Sequence, residues 1–398
     1  MRSKTAHKGL RTWIEVDRKA VKHNFNVFEK LIAKRTKLMA VVKSNGYGHG
    51  LIDFSREMEK LGADFLGVDS VTEGLALRRE GIKLPILILG YTLPEMVAAA
   101  SANDISITVS SFEIIRYIAA NSKNFSKPLR VHIKVDTGMH RQGFLLRQQK
   151  TLISKIKTQN AKIVVEGLYT HFASAKNPAF PKDTLAQLAE FKKWIAAFQK
   201  EGMRPMAHAA ATAGCMLLPE SHFDMVRIGI GLYGLWPAAE VKEFLKKKIS
   251  LEPALVWKSI ITEIKKLPKG SRIGYDLAET LDKESKVAIV PVGYWHGYPR
   301  ALSSIGRVIV QGQMSRLRRN GSRLRSANGQ VGGQAKVIGR VSMDMITIDV
   351  TDIKGVSLHD EVTIMGKKIT AEELGALTDS SCYEIVTRIN PLIKRIFT

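Results

Sequence analysis

Long hydrophobic runs are absent from this sequence. No stretch approaches the roughly 18 consecutive apolar residues that a membrane-spanning helix requires. The first eight residues carry positive charges, but no apolar run follows them, so a secretory leader is not indicated either. Both absences lead us to expect a cytoplasmic protein.

Cysteine is scarce in this chain. Among 398 residues there are two, Cys215 and Cys382, and they stand far apart. Neither belongs to a CxxC motif or to a Cys/His arrangement with the spacing of zinc ligands. This pattern excludes the disulfide frameworks that stabilise small secreted domains. We expect both thiols to be reduced and no metal to be bound.

Acidic residues are outnumbered: 37 Asp and Glu oppose 61 Lys and Arg, for a net charge of +24. Such a surplus attracts phosphate esters, nucleic acids and acidic lipid headgroups. The densest positive segment runs from Gln313 to Arg325, and no acidic residue occurs between Arg307 and Met343. Because Gln313 to Gln334 contains no aromatic residue, base stacking is not indicated. We expect a solvated Arg/Gly-rich loop rather than a nucleic-acid or membrane contact.

The first part of the chain alternates short β-rich apolar runs with longer amphipathic stretches. Parallel strands that are covered on both faces have this continuous apolar character, so the alternation predicts βα units. Eight such runs predict a (β/α)8 TIM-type barrel. The runs are Leu38 to Lys43, Asp64 to Asp69, Pro85 to Leu89, Ile105 to Val109, Leu129 to Asp136, Lys162 to Tyr169, Met206 to Ala211 and Met225 to Leu232.

The texture changes after Ala238, where β-rich runs follow one another without long helices between them. This predicts a mainly antiparallel β domain. We therefore predict an N-terminal tail over residues 1–11, a barrel over 12–240 and a β domain over 241–398, with a loop insertion at 313–334. The β domain's runs are Ala254 to Ile264, Lys286 to Val292, Arg307 to Val310, Met345 to Val350 and Glu361 to Met365, followed by a helix from Ala371 to Leu377 and an apolar run from Ile385 to Ile396.

Lys43 stands out among the strand ends, where barrel enzymes place their reactive side chains. It directly follows the apolar run Met39 to Val42. By position alone a surface lysine is the more common interpretation, but a desolvated lysine can form a Schiff base. The segment that follows, Asn45 to Gly50, is rich in glycine and contains Tyr47, which suits a phosphate group.

This segment resembles the motif in which the lysine of alanine racemases binds pyridoxal 5'-phosphate. The resemblance extends over nearly the whole chain. Further segments similar to the family's motifs are Val135 to Gly143, Tyr169 to Ala173, Val226 to Gly234, Gly270 to Tyr275 and Arg340 to Asp344.

The resemblance implies a role for each matching residue. Lys43 and Tyr275 would be catalytic, while Arg141 and Met343 would bind the substrate carboxylate. Lys134, which is often carbamylated in the family, and Tyr294 would support the site. The cofactor would be bound by Lys43, Tyr47, His171, Thr212, Arg227, Gly229, Ile230 and Tyr383.

The implied reaction interconverts L-alanine and D-alanine by two-base proton transfer. Lys43 would act on the Cα proton of D-alanine and Tyr275 on that of L-alanine, because the two groups must flank the Cα. In the family, Tyr275 and Met343 reach the site from the neighbouring subunit, which implies a homodimer. The product D-alanine would serve peptidoglycan of the cell wall.

Three departures from the family pattern leave alternatives open. Ala211 replaces an asparagine, Trp295 and His296 are larger than the usual residues, and the 313–334 segment is an insertion. These changes affect substrate preference, so a racemase of serine or larger amino acids, or a decarboxylase of a basic one, stays open. A pyridoxal-phosphate carrier without racemase activity is a further alternative, although such proteins lack the β domain.

Overall fold

The computed structural model describes residues 7–158, 163–179, 181–311 and 332–398. The chain forms two compact units, one of residues 19–252 and one of the N-terminal residues up to 18 together with 253–398. These limits differ from the predicted domains at both ends. Residues up to 252 belong to the first unit because the Asn24 side chain hydrogen-bonds both the N–H and the C=O of Glu252, each at 2.8 Å. The segment from residue 12 belongs to the second unit, because Thr12–Val16 pairs with Leu255–Ile260.

The first unit is a barrel of eight parallel strands, as predicted. Strands 1 to 7 each pair with their neighbours along the chain, and the eighth pairs with the first, with Leu38 opposite Val226. A bridge between Ala211 and Arg227 links the seventh segment to the eighth. We number the barrel strands 1 to 8 in chain order: Lys37–Val41, Phe65–Val68, Ile86–Ile88, Ile105–Val109, Leu129–Lys134, Ile163–Tyr169, Met206–His208 and Met225–Ile228.

Amphipathic helices accompany the barrel strands. In Lys182–Lys200, for example, Leu188, Phe191, Trp194 and Phe198 recur at three- or four-residue intervals and are buried. The other right-handed α-helices of this part of the chain are Arg18–Leu31, Leu51–Leu61, Val71–Arg79, Val97–Ala102, Phe112–Asn121, Gln149–Thr158, Thr212–Leu217 and Ala239–Leu245.

The second unit contains a nine-stranded sheet that is antiparallel except for one pair, as predicted for the C-terminal part. The parallel pair joins Thr12–Val16 to Arg395–Phe397. A separate two-stranded ribbon, Arg272–Ile273 with Glu279–Thr280, and two helices, Ala371–Leu377 and Cys382–Thr387, complete the unit. In spatial order the nine strands are Glu263–Leu267, Ser285–Val290, Ile346–Asp349, Gly333–Ile338, Arg307–Gln311, Glu361–Met365, Leu255–Ile260, Thr12–Val16 and Arg395–Phe397.

Two predicted runs are divided in the structure. The run Ala254 to Ile264 forms two strands because its hydrogen bonds change neighbour: Ile261 N–H donates to Asp360, and Thr262 N–H donates to Ile289. The run Ile385 to Ile396 contains the end of a helix and a short strand, separated at Asn390 and Pro391. Proline cannot continue a helix, which explains the break.

The predicted loop insertion from Gln313 to Gln334 lies largely outside the described residues. The strands beside it, Arg307–Gln311 and Gly333–Ile338, pair antiparallel. The second of them begins one residue before the predicted end of the loop. Within the described ranges, none of the helices combines the length and the apolar composition needed to cross a bilayer.

Candidate active site

Lys43 begins an unusual left-handed turn at the end of barrel strand 1. Ser44, Asn45 and Gly46 have φ between 55° and 58°, and Tyr47 has φ 48°. This conformation costs residues other than glycine roughly 1–2 kcal/mol each. Two side chains hold the turn: Glu73 Oε1, from a later helix, accepts the Ser44 N–H at 2.7 Å, and Asn45 Oδ1, within the turn, accepts the N–H that begins the next helix at 3.0 Å. The sequence indicated a glycine-rich turn but not its hand.

The amine of Lys43 is paired with a carboxylate that sequence analysis did not identify. Lys43 Nζ donates to Asp69 Oδ1 at 2.8 Å, and about a third of the lysine side chain is exposed. Asp69 follows barrel strand 2, and its N–H donates to Glu73 Oε2 at 2.7 Å. An exposed pair of this kind adds little stability. The ion pair holds the Lys43 amine at the ends of the strands. Asp69 could have been identified from the sequence because it follows the end of a barrel strand.

Arg227 lies on barrel strand 8, beside the strand that leads to Lys43, and is buried. Its guanidinium donates to the carbonyls of Thr170 and Ala209 at 2.7 and 2.9 Å, and to His208 Nδ1 at 2.9 Å. It also donates to His171 Nδ1 at 3.2 Å. Four acceptors from the ends of two strands, 6 and 7, therefore hold the guanidinium. His171 and Arg227, both implied by the family resemblance to bind the cofactor, are therefore in contact.

The site is strongly positive. Burial, with the charges of Arg227 and Arg141, lowers the pKa of His171 to about 3. Burial and the same two arginines lower the pKa of Lys134 to about 8. Lys134 Nζ donates to Gln142 Oε1 at 3.1 Å and lies 5.5 Å from the centre of the Tyr169 ring. Such a concentration of positive charge at one end of a barrel favours ligands that carry phosphate or carboxylate groups.

The loop that carries Arg141 is closed on itself. Asp136 Oδ1 accepts the N–H groups of Gly138, Met139 and His140, each at 3.0 Å. A Cβ at Gly143, where φ is 131°, would lie 2.7 Å from the backbone N of Asp136, so only glycine fits. Arg141 is exposed on this loop. The hydrogen bonds to Asp136 therefore order the loop. Together with burial, the positive charge of Arg141 lowers the pKa values of Lys134 and His171.

Four of the residues expected to bind the cofactor, Tyr47, Thr212, Gly229 and Ile230, lie together in the first unit. Thr212 Oγ1 accepts the N–H groups of Gly229 and Gly231 at 3.3 and 3.4 Å. A Cβ at Gly229 would lie 2.9 Å from Tyr47 Oη, so the glycine makes room for the phenol. Burial, and then the charge of Asp69, raises the pKa of Tyr47 to about 12, which keeps the phenol a hydrogen-bond donor. Ile230 begins a 3-10 turn, Ile230–Tyr233, at the same place.

The other predicted site residues belong to the second unit. Tyr275 is 70% exposed, and its turn is tied to the segment after the strand Gly333–Ile338 by an ion pair between Asp276 and Arg340 at 2.7 Å. The turn at Tyr294 packs on the same segment, because Tyr294 N–H donates to the carbonyl of Ser342 at 3.1 Å. The structure thus places Tyr275, Tyr294 and Met343 around residues 340–345. Tyr383 lies on the helix Cys382–Thr387, partly buried.

The departures at residues 295 and 296 have different consequences. His296 is buried, and its Nδ1 accepts the N–H of Gly293 at 3.2 Å, which closes the turn that presents Tyr294. Trp295 is about half exposed. It joins Tyr275, Leu277, Tyr294, Met343 and Met345 among the large apolar side chains that this unit exposes. Large exposed apolar residues in one region mark interaction surfaces.

The buried histidines predict how stability depends on pH. The pKa values of His132, His171 and His208 are all lowered, with burial as the largest cause. Below about pH 6.5 the unfolded chain therefore binds protons that the folded chain does not. We expect the free energy of unfolding to fall as the pH drops from 7 to 5, with each histidine contributing up to about 1.4 kcal/mol per pH unit.

Denaturant unfolding of the protein at several pH values measures this slope. His171→Gln should make the dependence of the unfolding free energy on pH less steep by the contribution of one histidine. The matched control is His359→Asn, because His359 is exposed and asparagine tolerates its φ of 66°. An undiminished slope in His171→Gln would show that His171 is not held neutral.

Comparison with known proteins shows similarity along the whole chain. Residues 16–237 match the family "Alanine racemase, N-terminal domain", and residues 254–397 match "Alanine racemase, C-terminal domain". The alanine racemase of Desulforamulus reducens is 36% identical over 388 residues, which cover 97% of this chain and 98% of that protein. The alanine racemase of Symbiobacterium thermophilum is 37% identical over 398 residues, with 98% of each chain covered.

Solved structures show the same likeness. The alanine racemase of Clostridium difficile 630 superposes with a TM-score of 0.87 at 30% identity, covering 98% of this chain and 96% of that chain. The alanine racemase of Bacillus anthracis with bound L-Ala-P has a TM-score of 0.85 at 31% identity, with 98% and 95% covered.

Proposed function

The chain belongs to the alanine racemase family of isomerases, and from this we propose that it interconverts L-alanine and D-alanine with pyridoxal 5'-phosphate as cofactor. We further propose that its D-alanine serves peptidoglycan synthesis. The observation that carries the proposal is the barrel closure: it brings Lys43 and Arg227, on strands 1 and 8, to the same end of adjacent strands. A reactive amine and a fixed cation therefore face one site.

The residues at this site fit the cofactor. Pyridoxal phosphate, when bound, supplies an electron sink for the negative charge that develops at the substrate Cα. Lys43 offers the amine for its aldehyde. Tyr47, Thr212, Gly229 and Ile230 offer donors for its phosphate, since hydroxyl groups and backbone N–H groups gather there around a position without a side chain. We assign Arg227 to the ring nitrogen, because a guanidinium held by four acceptors keeps its protons.

Gly229→Ala tests the phosphate position. The added Cβ would lie 2.9 Å from Tyr47 Oη and 3.3 Å from its Cζ, and Tyr47 cannot withdraw freely because it stacks on Tyr233. We expect pyridoxal phosphate to bind about 10-fold more weakly or worse, since hydrogen bonds to a charged group contribute about 1.5–3 kcal/mol. Titration of the cofactor by absorbance measures the loss.

Gly214→Ala is the matched control for this variant. Its Cβ meets Ala210 and Phe172 at 3.5 Å, which is ordinary contact. This variant should bind the cofactor as the parent protein does. Equal affinities of the Gly229 and Gly214 variants for pyridoxal phosphate would contradict the proposal that the phosphate binds at Gly229.

We assign Arg141 to the substrate carboxylate. Arginine recognises carboxylates through two parallel N–H donors, and the closed loop around Asp136 holds the segment that presents it. On the same loop, Gln142 accepts a hydrogen bond from Lys134 Nζ. Burial is the largest cause of the lowered pKa of Lys134. Repulsion from the positive charges of Arg141 and Arg227 lowers it further.

Proton transfer requires a group on each face of the Cα. We assign Lys43 to the proton of D-alanine and Tyr275 to that of L-alanine. Arg227 donates to Nδ1 of His171, so the neutral ring carries its proton on Nε2 and has a donor left for a phenol oxygen. Tyr275 and Met343 would come from a second copy of the chain, a proposal supported by the exposed apolar side chains around residues 340–345.

Mixed dimers test the shared site. A subunit with Lys43→Ala keeps Tyr275, and one with Tyr275→Phe keeps Lys43, so one site of each mixed dimer would have both groups. Random mixing of equal amounts, with exchange of subunits, should restore about a quarter of the parent activity, since half of the dimers are mixed and each has one intact site. No gain over the separate variants would place both groups in one chain.

One assay decides the reaction itself. The purified protein is incubated with pyridoxal phosphate and with L-alanine, L-serine or L-lysine in turn, and the products are separated by chirality. We expect D-alanine to form fastest. Faster conversion of serine or lysine would establish one of the alternative substrates, and loss of carbon dioxide without a D-product would establish a decarboxylase.

A further inference from the structure

A line of hydrogen-bonded side chains runs inside the barrel from Arg227 toward the opposite end of the strands. Arg227 Nη1 contacts His208 Nδ1 at 2.9 Å, and His208 Nε2 contacts His132 Nδ1 at 2.9 Å. His132 Nε2 then contacts Glu166 Oε2 at 3.1 Å. Arg227 and both histidines are buried, and the line ends at Glu166, which also accepts from Ser106 at 2.6 Å.

The chemistry of the two ends sets the direction of every bond between them. Arginine only donates, so His208 Nδ1 must be an acceptor. The proton of a neutral His208 is then on Nε2 and is donated to His132 Nδ1. His132 in turn carries its proton on Nε2 and donates it to Glu166, which as a carboxylate only accepts.

The charge states agree with this direction. Burial lowers the pKa of both His132 and His208, so both rings are neutral. Burial of Glu166 favours its acid form, but hydrogen bonds from His132 and Ser106, together with the charge of Arg130, outweigh burial and lower the pKa of Glu166. The line therefore ends on a carboxylate at all pH values near neutrality.

An irregularity in the backbone pairing of strands 5 and 6 makes room for these hydrogen-bonded side chains. The pairing of strands 5 and 6 shifts beside His132: Val131 is opposite Val165, whereas His132 is opposite Gly167, so Glu166 is an extra residue. Such a bulge re-aims a side chain, and here the Glu166 carboxylate reaches His132 inside the barrel. Gly167 leaves the space for the histidine, because a Cβ there would lie 2.1 Å from His132 Nδ1.

From this geometry we infer that Glu166 is a positioning residue for the proposed racemisation: through His132 and His208 it fixes the hydrogen-bond acceptor that holds Arg227. The inference rests on the proposed function. Without the carboxylate, His132 and His208 can both reverse their protons, and Nδ1–H of His208 would then meet the N–H of Arg227. Two facing donors repel, so the guanidinium would leave its place beside the cofactor.

Neutron diffraction of holoenzyme crystals tests the direction without reference to activity. Hydrogen positions that X-ray data do not show are visible by this method. We expect hydrogen on Nε2 and not on Nδ1 in both His132 and His208. Hydrogen on Nδ1 of either ring would overturn the inference, while leaving the racemase proposal intact.

Two replacements of Glu166 test its effect on the cofactor. Glu166→Gln keeps an oxygen that accepts from His132 and Ser106 and turns its amide toward exposed Arg130. We expect its dissociation constant for pyridoxal phosphate to stay within about threefold of the parent value. Glu166→Leu should raise that constant about 10- to 100-fold, since it leaves the buried N–H of His132 without its acceptor. An equal loss in both variants would overturn the role as acceptor.

A control separates positioning from simple destabilisation. Glu59→Leu removes a carboxylate that accepts the N–H groups of Lys83 and Leu84 in the same unit, at 2.8 and 3.2 Å. It should lower the melting temperature but leave the dissociation constant for pyridoxal phosphate unchanged. A cofactor defect in both leucine variants would mean that Glu166 acts only through stability. If Glu166→Leu does not fold, the neutron result and Glu166→Gln still decide the inference. Absence of cofactor binding by the parent protein would instead refute the proposed function.

Discussion

Lys43→Ala is expected to abolish racemisation and the covalent capture of pyridoxal phosphate together. The variant loses the amine that binds the aldehyde and one of the two groups that move the Cα proton. A positioned acid or base alone contributes about 10²- to 10⁴-fold to a rate, and the loss of covalent catalysis adds to that. The measurements are the rate of D-alanine formation and the visible absorption of the lysine-bound cofactor.

Lys43→Arg is the matched control for the ion pair. An arginine can still pair with Asp69, as Lys43 does at 2.8 Å, but it neither binds the aldehyde nor gives up a proton near neutrality. We expect this variant to be as inactive as Lys43→Ala while remaining folded. Borohydride reduction of the parent holoenzyme, followed by peptide mass analysis, should place the cofactor on the peptide that contains Lys43. Label on another lysine would refute the assignment.

Tyr275→Phe is expected to separate the two faces of the reaction. L-alanine and D-alanine have equal free energies, so their equilibrium constant is one, and no variant can lower kcat/KM in one direction only. Exchange of the Cα hydrogen with solvent is free of this constraint. In D2O we expect Tyr275→Phe to exchange the hydrogen of D-alanine with retention, and to exchange that of L-alanine about 10²- to 10⁴-fold more slowly than the parent.

Proton NMR of each enantiomer during incubation measures this exchange. Tyr117→Phe, on the helix Phe112–Asn121, is the control for loss of a phenol and should exchange both enantiomers at parent rates. Since Tyr275 is 70% exposed in the single chain, removal of its hydroxyl should cost little folding stability. Small and equal effects on the two enantiomers would rule out Tyr275 as the second base.

Much of the fold follows from local patterns. A parallel strand that is buried on both faces must be apolar at successive positions, as in Ile105–Val109, where every residue is buried. All eight barrel strands were predicted for this reason, with errors confined mostly to their ends. The assignment of Thr12–Val16 to the second unit could not be predicted, because the pairing partner of a strand is not written in its own residues.

The site divides in the same way. Lys43, Arg227 and the glycine-rich turn were identifiable because a motif and a strand end mark them. Asp69 and Glu166 were not, because each acts on a residue far away in sequence. The side-chain period predicts one direction for residue 166, and only a bulge in the pairing of two strands gives it another.

The sequence by itself determined the two-part architecture, the family, and the residues proposed to bind the cofactor, because short-range patterns of burial and motif carry that information. The tertiary structure decided the left-handed turn after Lys43, the carboxylate that holds its amine, and the direction of the hydrogen bonds behind Arg227. These depend on which strands become neighbours and on the φ values that packing imposes on residues other than glycine. Neither quantity is a property of a single segment.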